Sequence, residues 1–311
     1  MSGRPLVLFA LMSVIWGIPY LFIRIAVDEV SPAFLVLART GIAAAILLPI
    51  ALIKVDLRPV LARWRWLAAF AAIEIAIPWV LLGSAEQKVS SSLAALVIAG
   101  VPLVGVVIAL LTGRSERLGP MGLVGLLIGI VGVAAIVGGS FGTTDPIALV
   151  ELAAVAVCYA LGPAILVRRL GGLPSVGVMA LSLGLVFLVY VPIGALQWPA
   201  AIPSPAVIGS IVTLGVVCTA IAFVVFAALI DEVGPVRATV ITYINPAVAA
   251  VLGVAVLQET FTASMGVGLI LVILGSALAT RRPQAVEAIE AAPDPAAAAL
   301  ATVPEPATEA G

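Results

Sequence analysis

Long apolar segments recur along the chain at nearly regular intervals, and Pro, Gly and charged residues separate them. A helix needs about 20 residues to cross the hydrocarbon core of a bilayer. Ten segments are close to that length, so the pattern predicts an all-α membrane protein with ten transmembrane helices. The predicted helices cover residues 5–27, 32–53, 66–85, 90–112, 120–138, 146–167, 174–196, 205–230, 235–257 and 263–280.

Composition supports the same fold class. Hydrophobic residues make up 63% of the chain and charged residues 10%, whereas a soluble domain carries about 25% charged residues. So few charges cannot cover a water-facing surface, and lipid must therefore contact most of the chain. The first apolar segment is longer than a signal-peptide core of about 7–15 residues, so we expect it to stay as the first helix.

The distribution of Lys and Arg predicts the orientation. If the N-terminus is cytoplasmic, twelve of the 15 basic residues lie in cytoplasmic loops or ends, Lys88 lies in an outer loop, and Arg24 and Arg39 lie within helices. Cytoplasmic loops carry the positive excess, so we expect both termini on the cytoplasmic side of the cell (inner) membrane. Residues 283–311 are rich in Ala, Pro and Glu and predict a disordered cytoplasmic tail.

The second half of the chain repeats the first. Four residue pairs match in register at offsets of 143 or 144: Pro102 with Pro246, Glu116 with Glu259, Gly125 with Gly268, and Gly132 with Gly275. This interval holds five helices, and because five is odd the second copy begins on the other side of the membrane. We predict two inverted five-helix repeats, residues 5–138 and 146–282, with a binding site near the midplane where they meet.

Several motifs resemble the EamA family of the drug/metabolite transporter superfamily. They are IWGIPYLF in the first helix, LAR at 37–39, the mid-helix Pro followed about fourteen residues later by Glu-Arg-Leu or Gln-Glu, and the Gly-rich fifth and tenth helices. The resemblance covers residues 5–282. It implies a ten-helix carrier, often an exporter of amino acids, other small metabolites or drug-like compounds, with a cavity lined largely by helices 1, 3, 4, 6, 8 and 9.

The two repeats differ in their polar residues. The second copy has no Arg matching Arg39, Tyr159 stands where the first copy has Trp16, and Glu74 aligns with Cys218. A charged side chain at the bilayer centre costs about 2.5–3.5 kcal/mol. Glu74 is therefore either a proton-coupling site or a structural carboxyl. Arg39 lies at a comparable depth, and we favour an ion pair with Glu74 over direct contact with a substrate.

Other candidates lie near span centres, where aromatic side chains need polar partners. Either they line a cavity or they pack helices together. Pro102 and Pro246 each free a backbone carbonyl one turn earlier in the helix. These prolines either expose groups that bind substrate or only kink their helices. We expect Glu116 and Glu259 to be terminal capping or gating groups. The cavity candidates are Trp16, Tyr20, Trp79, Tyr159, Tyr243 and Asn245, and the helix-kink candidates are Pro102 and Pro246.

The chain has no His, no P-loop and no Cys cluster with metal spacing. An intramembrane enzyme and ATP-driven transport are therefore disfavoured. We expect no cofactor, metal, disulfide or nucleic-acid partner. The sequence predicts a secondary transporter that moves a small molecule by alternating access, either coupled to protons or as a facilitator. A non-transporting scaffold or sensor is the alternative, and nothing in the pattern requires more than a monomer.

Overall fold

The structure is a computed structural model, and it describes residues 3–112, 120–138, 144–233 and 239–280. The described residues form ten apolar helices, eight of which are long enough to cross a membrane, so the predicted fold class is confirmed. The predicted tail, residues 283–311, lies outside the described residues.

The helices are named α1 to α10, and three of them consist of two segments. They are α1 (Gly3–Ile15 and Pro19–Ala26), α2 (Pro32–Lys54), α3 (Trp64–Glu86), α4 (Ser91–Ile98 and Val101–Leu111), α5 (Pro120–Gly138), α6 (Pro146–Arg169), α7 (Ser175–Leu196), α8 (Pro205–Ile230, with its last turn reaching Val233), α9 (Thr239–Tyr243 and Asn245–Leu257) and α10 (Ala263–Ala279). A short helix, Arg58–Ala62, lies between α2 and α3.

Packing between the two halves has the symmetry of an inverted repeat. The main pairs across the halves are α2 with α7, α4 with α9, α5 with α10, α1 with α8, and α3 with α6. If each helix is exchanged with its counterpart five helices away, the first three pairs map onto themselves and the last two map onto each other. The predicted pair of inverted five-helix repeats is therefore present in the packing.

Four glycines, Gly125 and Gly132 on α5 and Gly268 and Gly275 on α10, form one close seam between the repeats. A Cβ on Gly132 would lie 2.7 Å from the Val272 nitrogen and 2.8 Å from the Gly268 oxygen. A Cβ on Gly125 would lie 2.8 Å from the Gly275 oxygen. Backbone meets backbone along this line, as small residues permit in membrane helices, so no larger side chain fits without separating the helices.

Two π-helical segments interrupt the third helix of each repeat at the same point. They are Ala71–Ala76 in α3 and Val216–Ile221 in α8. Glu74 is the fourth residue of the first segment, and Thr219 is the fourth residue of the second. Counted within these segments, Glu74 corresponds to Thr219, the residue after the Cys218 with which the sequence alignment matches it.

Side-chain hydroxyls donate to backbone carbonyls in or just before these segments. The Tyr190 hydroxyl on α7 donates to the Ala76 carbonyl (2.8 Å), and the Thr219 hydroxyl donates to the Leu214 carbonyl (2.7 Å). A π-helix disturbs the regular i to i−4 ladder, and backbone groups in hydrocarbon must find partners within the protein. These two contacts stabilise the interruptions.

The two ends of the helix bundle differ in charge. One end carries Arg4, paired with Glu232 at 3.1 Å, and Arg63, which donates to the Arg169 carbonyl at 2.9 Å. We call this end the basic face and the other end the opposite face. It is the face that the charge pattern predicts to be cytoplasmic.

Contacts between the repeats also cross the opposite face. Lys88 after α3 pairs with Glu151 on α6 at 3.2 Å. The Ser204 backbone N–H before α8 donates to the Glu29 carboxylate after α1 at 2.7 Å, and this hydrogen bond lowers the pKa of the exposed Glu29 carboxyl below its usual value. Loops from both repeats are therefore joined at this face.

The seam between α5 and α10 gives a first prediction. Gly132→Ala should lower the thermal unfolding midpoint of the detergent-purified protein, because overpacking a close interface costs about 1–3 kcal/mol. Gly138→Ala is the matched control on the same helix, since nothing lies within 4 Å of a Cβ there. If both variants melted at the same temperature, the seam would not be the close contact described.

Candidate functional site

Four helices bring polar and aromatic side chains together at the boundary between the repeats. We call this group the central cluster, and it consists of Arg39 on α2, Glu74 and Trp79 on α3, Tyr159 on α6, and Thr219 on α8. The first three come from the first repeat and the other two from the second. Packing of α2 on α8 and of α3 on α6 positions them.

Arg39 has neutral partners. Its side chain is buried, with 7% of its surface exposed, and its Nε donates to the Thr219 hydroxyl at 2.9 Å. The guanidinium carbon lies 3.6 Å from the centroid of the Trp79 ring, a geometry in which the ring face attracts a cation by about 2 kcal/mol when water is excluded. The expected ion pair with Glu74 is not among the ion pairs of the described chain, so that expectation is wrong.

Glu74 packs against the backbone of α6. A Cβ added at Gly162 would overlap the Glu74 carboxylate, so only glycine leaves room for it there. The Oε2 atom is buried without a hydrogen-bond partner among the described residues. Tyr159 lies one turn before Gly162 and interacts electrostatically with both Glu74 and Arg39. Glu74 therefore lies near Tyr159, an aromatic neighbour of Arg39, but it forms no ion pair with the Arg39 guanidinium in the described chain.

Thr219 links Arg39 to the π-helical segment of α8. Its hydroxyl accepts from Arg39 and donates to the Leu214 carbonyl five residues earlier. A shift in the segment would move the acceptor of Arg39, and π-helical turns are common at functional sites. Thr219 was not among the predicted site residues, because threonine is an ordinary residue in a membrane helix. Its place in α8, which corresponds to the place of Glu74 in α3, could have identified it.

The other predicted site residues lie away from the central cluster. Trp16 stacks on Phe226 of α8, with ring centroids 4.7 Å apart. The Tyr243 hydroxyl lies 3.4 Å from that of Thr280 at the end of α10. Tyr20 is buried in a hydrophobic core formed mainly by α1, α4, α6 and α8. The structure does not bring these side chains to Arg39.

Asn245 supports the interruption of α1. Gly17 donates to the Val14 carbonyl, which leaves the Ser13 carbonyl without its helical donor. The Asn245 amide nitrogen donates to the Ser13 carbonyl (3.0 Å) and to the Ile241 carbonyl (2.9 Å). A backbone contact therefore occupies the Asn245 amide. Pro102 and Pro246 lie in the first turn of the second segments of α4 and α9.

Glu259 caps α4 at the opposite face. Its carboxylate accepts from the backbone N–H groups of Ser91 (2.7 Å) and Ser92 (2.9 Å) and from the Ser92 hydroxyl. A carboxylate stabilises a helix N-terminus by these charge-assisted bonds and by the helix dipole. The expected capping role of Glu259 is confirmed, whereas Glu116 lies outside the described residues.

The capped helix end borders a pocket at the opposite face. Its volume is about 430 Å³, and both repeats contribute to it. Charged and amide side chains dominate its walls, which suits a water-filled entrance. The lining residues are Arg24, Asp28, Gln87, Lys88, Val89, Ser90, Leu257 and Glu259.

Glu86 is a second carboxyl that sequence reasoning missed. The predicted third helix ended at residue 85, but α3 continues through Glu86, which is fully buried. Both of its carboxyl oxygens lack hydrogen-bond partners among the described residues. Glu86 follows the buried Leu82 by four residues, and that helical spacing could have placed it on the buried side of α3.

The contact between Arg39 and Thr219 can be tested by stability. Thr219→Val should lower the free energy of unfolding by about 1–3 kcal/mol, because it leaves the buried Arg39 Nε and the Leu214 carbonyl without their partner. Thr219→Ser keeps the hydroxyl and should stay near wild type. Chemical denaturation of the two variants in detergent measures the difference. Equal stability of Val and Ser at this position would show that the hydrogen bonds contribute nothing.

Comparison with known proteins places this architecture in a family. The profile of the EamA-like transporter family matches the chain twice, over residues 4–138 and 147–281. The "Uncharacterized inner membrane transporter YedA" of Escherichia coli (strain K12) is 30% identical over 296 residues, which cover 91% of this chain and 94% of that protein. The "Uncharacterized transporter YvbV" of Bacillus subtilis (strain 168) is 26% identical over 294 residues, covering 92% and 94%.

A solved crystal structure shares the fold. It superposes with a TM-score of 0.62 at 21% sequence identity and covers 90% of this chain and 98% of its own. The two profile matches span both five-helix repeats seen in the packing. The chain therefore belongs to the EamA-like transporter family and is a membrane transporter.

Proposed function

We propose that this protein is a secondary transporter that binds a small organic solute at the central cluster and moves it by alternating access between the two repeats. The observation that carries the proposal is the Arg39 guanidinium, which is buried between the repeats and has only neutral partners among the described residues. A buried charge without a counterion is unfavourable. An anionic group on the solute would supply the missing charge.

The chemistry of the cluster favours a solute with a carboxylate and an apolar body. Arginine binds carboxylates through paired N–H donors. The Trp79 ring beneath the guanidinium and Tyr159 across the boundary give apolar surface beside it. The resemblance to the family adds amino acids, other small metabolites and drug-like compounds as solute classes, with export as the direction.

Location follows from the relatives and the charge pattern. The name of the Escherichia coli relative states an inner membrane transporter, and the positive-inside rule favours a cytoplasmic basic face. We propose an inner (cytoplasmic) membrane protein with both termini in the cytoplasm and with residues 283–311 as a cytoplasmic tail. The repeats at 5–138 and 146–282 are the units that move. A non-transporting scaffold or sensor would bind solute without moving it.

Arg39 can be tested as the anion-binding group. In a thermal-shift screen against metabolites and antibiotics, a ligand at 100 times its dissociation constant adds about 2.7 kcal/mol of stability. Arg39→Gln should lose the shift given by carboxylate ligands and keep any shift given by cationic dyes. Arg39→Lys keeps the charge and serves as the folded comparison if the Gln variant is unstable. Retained carboxylate shifts in both variants would refute this role.

Glu74 is the proposed proton-coupling residue, and a facilitator with no coupling ion is the alternative. In proteoliposomes, wild-type transport should depend on the pH gradient, and Glu74→Gln should remove that dependence because the amide cannot ionise. Thr219→Ser is the control for a conservative change in the same cluster. Full transport with unchanged pH dependence in Glu74→Gln would exclude proton coupling through this carboxyl.

A further inference from the structure

A second buried acid lies outside the central cluster, beneath the opposite face. Glu86 ends α3, is 0% exposed, and has no hydrogen-bond donor for either oxygen among the described residues. Apolar residues of the surrounding core include Leu82, Val89 and Leu93. A carboxylate without donors in such surroundings is far less favourable than a neutral carboxylic acid. Burial of this kind therefore selects the protonated form.

Among the described residues, neither nearby cation forms an ion pair with Glu86. Arg24 on α1 acts on it electrostatically but pairs with Asp28, and Lys88 pairs with Glu151 at 3.2 Å. Each cation thus already has its own carboxylate. The remaining titratable neighbours of Glu86 are Glu259 from the loop after α9 and Tyr20 on α1.

The cap formed by Glu259 lies at the same face as Glu86. Glu259 joins the loop after α9 in the second repeat to the start of α4 in the first. The cap is tightly fitted, because a Cβ on Gly253 would overlap both the Ser92 hydroxyl and the Glu259 carboxylate. Val89 lines the pocket beside the cap and is 8% exposed. Opening of this face must break the cap and admit water towards Glu86.

We propose that Glu86 is a proton-binding site that takes up one proton when the Glu259 cap closes the opposite face and releases it when that face opens. The carboxylate gains a proton from water on closing, and the acid returns it on opening, so no other reactant is required. A role of this proton in transport rests on the proposed alternating access. The protonation itself does not.

The sign of the pH dependence follows from linkage. The closed form holds one more proton than the open form, so raising the pH favours the open form, by at most about tenfold per pH unit for one proton.

Cysteine labelling tests the proposal on the purified full-length protein in nanodiscs. Cys158 and Cys218 are replaced by Ala, Val89→Cys reports opening, and Ile202→Cys reports the intrinsic maleimide rate because Ile202 is 90% exposed. With Glu86 present, the ratio of the Val89→Cys rate to the Ile202→Cys rate should rise with pH. With Glu86→Gln it should be low and independent of pH. An unchanged pH profile in Glu86→Gln would overturn the proposal.

Further variants separate the proton from the cap. Gly253→Ala should raise Val89→Cys labelling at every pH and keep its rise with pH. Gly105→Ala on α4 has nothing within 4 Å of its added Cβ and should change neither property. Because Gln resembles the neutral acid, the proposal also requires Glu86→Gln to fold, and loss of folding would contradict it.

Infrared difference spectroscopy gives an independent measurement. The carbonyl band of protonated carboxylic acids should lose intensity at neutral pH in Glu86→Gln, and the component lost there should be retained in Glu74→Gln. A band unchanged in Glu86→Gln would overturn the proposal. Neither measurement needs a substrate, so failure to transport any solute would refute the proposed function and leave the result for Glu86 intact.

Discussion

Hydrocarbon offers no hydrogen bonds, and this constraint governs every interruption of the helices. The break in α1 frees the Ser13 carbonyl, which the Asn245 amide binds from the other repeat. The π-helical segments are served by Tyr190 and Thr219. At two of these three places the compensating donor lies on a helix of the other repeat. Local backbone irregularity is therefore also what joins the halves of the molecule.

The buried ionisable side chains have different kinds of surroundings within the same helix bundle. The Trp79 ring face and the Thr219 hydroxyl stabilise Arg39 as a cation, whereas Glu86 has no hydrogen-bond donor among the described residues. Glu74 is intermediate, since only its Oε2 atom is buried without a partner. A buried ionisable side chain can thus hold one charge state or change it, according to the hydrogen-bond donors and aromatic rings that neighbouring helices supply.

The sequence predicted the helix number and the inverted repeat because both follow from segment length and an odd period. It also identified Arg39 and Glu74, since charge in an apolar helix is conspicuous. It wrongly paired them, because depth along a helix does not give the direction of a side chain around the helix axis. Gly162 and Thr219 escaped notice because small and hydroxyl residues are common in membrane helices. Glu86 was missed through a boundary error of one residue.

The glycine seam between α5 and α10 has a consequence for how such a protein changes over generations. Each of the four seam glycines faces the backbone of the other repeat, so the close contact between the helices depends on both repeats. A bulkier residue in one repeat cannot be accommodated by adjustments within that repeat alone. The two copies differ in their polar residues, but along this line they form a single shared surface.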